Sequence, residues 1–226
     1  MTNFEPHQQF YIRGSSFEEF VDLIFDHEIP PDIDRNGRRS QTWYATADIE
    51  FDAREVVAFY TKLFTEPAFL LERFSKEKLE QAFWAIMGGS LDCSVEEVIW
   101  DNEVPFEERA NCVRAMYFLY EKLFAIDPLY TSSNMWWDAL AYDWHCDNRN
   151  RSNGGEDLSM QDVMFETLER ILGLSSRDSQ GAALHGLGHL HHPNTVEAIN
   201  AYLKRNPRLD SEMANYARAA SRFEVL

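Results

Sequence analysis

Ser15 and Ser16 are followed three residues later by Glu18 and Glu19, and Phe17, Phe20, Val21, Ile24 and Phe25 recur at helical spacing behind them. Two overlapping capping boxes in front of an apolar face predict a helix running to about Glu28, where Pro30-Pro31 stops it. Residues 30–42, with Pro, Asp, Asn and Gly and the pair Arg38-Arg39, read as a loop. From Trp43 to Phe51 the pattern switches to alternation, as in a strand. A lone strand cannot satisfy its own backbone, so this segment either pairs with Phe10-Tyr11-Ile12 in a small ribbon or stays an extended loop.

Beyond residue 51 the period is helical almost throughout. Asp52, Ser75 and Ser94 stand as N-caps before apolar faces, and Gly88-Gly89 ends the second of these helices. After Pro105 the positions Phe106, Ala110, Val113, Tyr117, Tyr120 and Phe124 form one stripe and Cys112, Met116, Leu119 and Leu123 another. A helix apolar on most of its circumference is a central one. A further helix over residues 132–146 sets Trp137, Leu140, Ala141 and Trp144 on one face. Residues 147–158 are nearly devoid of apolar side chains and read as a linker. Helices then follow from residue 159, over 178–191, 195–204 and 210–223, joined by short turns that suit antiparallel stacking. The expected fold is mainly α, an antiparallel helical stack with a short β-ribbon near the N-terminus.

Within the last part, Leu187-Gly188, Pro193, Val196 and Ile199 occupy the places of a small-residue helix, a turn proline and a second helix. The segment Ala183 to Ile199 resembles HEAT-like repeats of the phycobilisome-lyase type, although His191-His192 stands where that family has Gly-Asp. The resemblance implies a solenoid-like C-terminal part and a binding surface, and small residues at 182, 183, 186 and 188 imply close helix approach. It does not extend to residues 1–150.

Charge alters this picture. The 226 residues carry 38 acidic and 21 basic groups, a net charge of −17, with 45% hydrophobic residues. Residues 1–150 hold 28 acidic and 13 basic groups against 10 and 8 in residues 151–226, so the acidity is regional. The expected division is an acidic helical region over 1–150 and a HEAT-like region over 151–226, which can pack as one domain. Nucleic-acid binding through a basic surface is excluded by the charge balance. No apolar run reaches membrane-spanning length. Met1 to Phe10 lacks a basic and then apolar stretch, and the three cysteines include no short-spaced pair, so the sequence points to a cytoplasmic protein with reduced thiols.

Three groups of residues have chemistry to offer. Glu96, Glu97, Asp101, Glu103, Glu107 and Glu108 lie in a stretch with no Lys or Arg, a patch that attracts a basic protein surface. Trp136, Tyr142 and His145 are candidates for an aromatic ligand groove, and Asp138, Tyr142 and His145 share one side of their helix, which offers an acid–base arrangement. His185, His189, His191 and His192 are four of the seven histidines; His185 and His189 share a face, and with His192 they form a candidate set for a divalent metal. No His-Glu-x-x-His, nucleophile-elbow, phosphate-loop or EF-hand motif is present.

The leading expectation is a non-enzymatic interaction module that binds a basic protein partner, in one version an inhibitor or immunity-type antagonist, with no cofactor required. The alternatives are a metal-dependent or acid–base enzyme built on His185–His192, or a small-ligand binder at the aromatic groove.

Overall fold

The computed structural model describes residues 8–31 and 40–225. Arg38-Arg39 and the first seven residues lie outside the described part. Helix accounts for 64% of the chain, and the only sheet among the described residues has two strands. β1 (Gln8–Tyr11) pairs with β2 (Ala47–Glu50) in parallel, with Phe10 opposite Ile49. The alternating stretch is thus a ribbon at its second half, whereas Trp43–Ala45 curls into a 3-10 turn. There the His27 ring stacks on Trp43 at 3.9 Å.

α1 (Phe17–Phe25) begins with the reciprocal Ser16–Glu19 capping box and stops at Asp26, earlier than the Pro30 signal alone implies. α2 (Ala53–Thr65), α4 (Lys76–Met87) and the short α5 (Val95–Val98) start at Asp52, Ser75 and Ser94, whose side chains accept from the backbone N–H three residues on. Between α2 and α4 runs α3 (Phe69–Arg73). α6 (Phe106–Leu119) follows Pro105 and passes into a π-helical turn over Tyr120–Phe124. Tyr120, at the start of that turn, is buried, and its hydroxyl donates to Ser133 O at 2.5 Å.

α7 (Ser132–His145) and α8 (Gly155–Leu172) bracket the segment expected to be a linker. Its polar residues are structural instead. Arg149 pairs with Asp143 and Asp157, Arg151 with Asp162, and the buried Arg109 of α6 makes a two-pronged pair with Glu156. Gly154, at φ 68, lets α8 begin four residues before Ser159, and Glu156 and Asp157 sit in its first turn, where the helix dipole favours them. α9 (Arg177–Leu190), α10 (Thr195–Arg205) and α11 (Ser211–Ala220) complete the chain.

One continuous apolar core runs from Ile12 to Val225. α7 packs most extensively on α9, and α6 packs on α2 and α8, so these contacts cross residue 150. No helix among the described residues is long and apolar enough to cross a membrane.

Candidate functional site

α9 is central because glycine lets it be. A Cβ on Gly186 would stand 2.7 Å from Trp137 Cβ of α7 and 2.8 Å from Leu168 Cδ2 of α8, distances real side chains do not adopt. The bare backbone therefore sits between two helices at closest approach. His185 precedes that contact on α9, and Asp138 follows Trp137 on α7.

The start of α7 is fixed from a distance. Its N-cap, Thr131, makes no side-chain cap of its own. Glu80 of α4 serves instead, accepting from the backbone N–H of Tyr130, Thr131 and Ser132 at 3.1, 2.9 and 3.1 Å and from the Thr131 and Ser132 hydroxyls. Burial opposes the charge on Glu80, but the bonds from Thr131, Tyr130 and Ser132 outweigh it and hold the carboxyl below its usual range.

Where α7 and α9 meet, three ligand atoms converge. Asp138 Oδ1 lies 2.6 Å from His185 Nε2 and 2.9 Å from His189 Nε2, and the two nitrogens are 3.2 Å apart. His185 and His189 are 7% and 2% exposed. Burial works against ionising Asp138, yet the hydrogen bonds from His185 and His189 override it and keep the carboxyl well below the ordinary carboxylate range. On the far side of His185, Nδ1 meets the Tyr216 hydroxyl of α11 at 2.5 Å. Burial, and then the charge of Asp138, push that phenol up to about 12. Nδ1 of His189 is buried with no hydrogen-bond partner, an arrangement that native interiors rarely tolerate without use.

Asp138 and His189 open into a cavity of about 560 Å³ that Glu96, Tyr142, Asp143, His145 and Val225 also line. Tyr142 stacks on His145 at 5.1 Å, and His145 meets His189 edge to face at 4.9 Å.

The structure thus joins two groups that the sequence presents separately, the Asp138 side of α7 and the histidines of α9. Two expected members are elsewhere. His191 takes the left-handed conformation at φ 52 and closes α9, turning His192 away to α8, where its Nε2 meets Asp162 at 2.9 Å and its ring stacks on Phe165. Asp138 stands beside His185 and His189 in the position expected of His192. Trp136, expected in the aromatic groove, is fully buried between Phe64, Phe83 and Phe124, with its Nε1–H directed at Met116 Sδ. Only Tyr142 and His145 of that trio reach the cavity.

The six acidic candidates are divided as well. Glu108 is paired with Arg54 and Glu107 with Arg114, while Glu96 lines the cavity. Glu97, Asp101 and Glu103 form no ion pair among the described residues. Comparison of the chain with protein-family models, with curated proteins and with solved structures gives no match.

Proposed function

We propose that Asp138, His185 and His189 form a divalent-metal centre and that the protein is a metal-dependent enzyme working in the adjoining cavity. The observation that carries this is the convergence of Asp138 Oδ1 and the two Nε2 atoms, with edges of 2.6, 2.9 and 3.2 Å. Ligands bound at ~2.0–2.1 Å in a tetrahedral array stand ~3.3–3.4 Å apart, so an ion fits once the three atoms spread by up to about 0.7 Å. Two imidazoles and one carboxylate suit zinc or iron, with nickel a weaker fit. Three protein ligands beside a cavity leave coordination positions open, the arrangement of a catalytic rather than a structural centre. Tyr216 holds the outer nitrogen of His185, as groups behind a ligating histidine do. Such an ion would polarise a carbonyl or activate a bound water.

The test is metal analysis of protein purified without a histidine tag and dialysed against zinc. About one zinc per chain is expected, lost in the His185→Ala/His189→Ala double variant. Wild-type protein that retains no metal would overturn the reading.

A second reading, a module that binds a basic protein, is favoured by the net charge of −17 together with the unpaired Glu97, Asp101 and Glu103. Its HEAT-like component rests on the residues of the 183–199 segment. In this reading, association weakens steeply with salt and charge reversal at Glu97 slows it. Salt-independent association would exclude it.

A further inference from the structure

The cavity in front of the proposed metal centre has a charge pattern that selects its ligand. Among the described residues no lysine or arginine lines it; its ionisable lining is Glu96, Asp138, Tyr142, Asp143, His145 and His189. Asp138 faces the histidines and would be neutralised by the ion. Asp143 already shares Arg149 with Asp157, and that guanidinium is held over the Trp100 ring. Glu96 has no cationic partner among the described residues. It is partly buried at the start of α5, with Oε2 3.6 Å from the position a Gly89 Cβ would take. Burial, opposed by a hydrogen bond from the Gly89 backbone N–H, and then the nearby charges of Glu97 and Asp143 leave its carboxyl above the ordinary value, so a cation lodged there relieves a repulsion. In the same cavity Tyr142 is 48% exposed and offers an aromatic surface. His189 and His145, each with a buried Nδ1 that has no hydrogen-bond partner, line the same cavity.

We propose that this cavity takes an organic cation, an amine-bearing ligand whose ammonium group lodges at Glu96 against Tyr142 while its other end reaches the Asp138–His185–His189 centre. Coulomb attraction to an unpaired, partly desolvated carboxylate and cation–π attraction to Tyr142 act in the same direction. Anionic ligands such as phosphate esters are repelled at that end. The inference deepens the metal-centre reading and rests on it for what the far end of the ligand meets.

The experiment is calorimetric titration of the full chain, metal-free and zinc-loaded, with four probes of one shape: benzylamine, benzyltrimethylammonium, benzyl alcohol and benzoate. The quaternary probe carries charge but no lone pair, so it reports the carboxylate and not the ion. Both cations are expected to bind about ten-fold or more tightly than benzyl alcohol, with benzoate weakest in metal-free protein. Glu96→Gln should erase most of that preference, and Glu97→Gln on the exposed side of α5 should leave it. Benzoate binding as well as the cations to metal-free protein, or a preference unchanged in Glu96→Gln, would overturn the proposal. Zinc content is measured on the same samples. Zinc uptake without cation preference defeats this inference alone, and cation preference without zinc uptake defeats the metal-centre reading alone.

Discussion

The two sides of α7 solve opposite problems. On one, Trp136 enters a set of rings from Phe64, Phe83 and Phe124 with centroids 5.5–6.4 Å away, and its one polar atom has a partner. On the other, a carboxylate meets two imidazoles of α9 in a tight contact, and the His189 Nδ1 and Trp137 Nε1 atoms have no partner. The first side is what a folding core requires. The second costs desolvation that leucine or alanine at the same positions would avoid. Local rules of stability are broken chiefly where a site needs it, and this contrast between the two faces of α7 is what supports the proposed centre of Asp138 with His185 and His189 of α9.

The contrast breaks most visibly at Trp136. Trp136→Ala should cost ~3–5 kcal/mol in urea unfolding, while the folded fraction still takes up zinc. A folded fraction that no longer takes up zinc would show that the two sides are not separable. Next in size, zinc at about one hundred times its dissociation constant should stabilise the wild type by ~2.7 kcal/mol and Asp138→Asn by nothing measurable. Equal increments in both proteins would remove Asp138 from the ligand set.

Gly186→Ala should cost ~1–3 kcal/mol by overpacking against Trp137 and Leu168, and should lower the zinc increment by separating α7 from α9. Gly181→Ala on the same helix is the control, since its Cβ would meet only Met213 Cε at 3.9 Å. It should be neutral or gain up to ~1 kcal/mol from helix propensity.

The smallest effect is the pH response of the Glu80 hub. Its folded carboxyl is held below the ordinary 4.5, so it binds fewer protons folded than unfolded. Its contribution is complete above that value and is lost as pH falls through and below it. Glu80→Gln should therefore flatten the fall of the urea midpoint below about pH 4.5 and leave the midpoint's slope above pH 6 unchanged.

The caps at Ser16, Asp52, Ser75 and Ser94 were legible in the sequence because a cap depends on four neighbouring residues. The shared face of His185 and His189 was legible for the same reason, being one helical turn. Their joining with Asp138 was not, because it depends on how close α7 comes to α9. The signal for that lay in Gly186, read from sequence as permission for close approach without its partner. His192 was misplaced because a left-handed His191 reverses the chain, and a histidine at that cap gives less warning than a glycine. The polar stretch 147–158 reads as a linker because its pairings leave no periodic pattern: Glu156 meets Arg109 of α6, Arg151 meets Asp162 of α8, and Arg149 bridges Asp143 of α7 and Asp157.

The β1–β2 ribbon carries a consequence in time rather than in place. Gln8 lies opposite Ala47, so the strands meet only after the intervening chain has closed a long loop, at an entropic cost that must be met before the pairing returns anything. Ile12 and Ile49 are its main deposits in the core. Closing late and opening first, the ribbon should behave as a separate cooperative unit. The amides of Gln8 and Ile12, hydrogen-bonded to Thr46 and Glu50, should exchange with solvent well before those in the middle of α6, and the order of that exchange would trace the order of assembly.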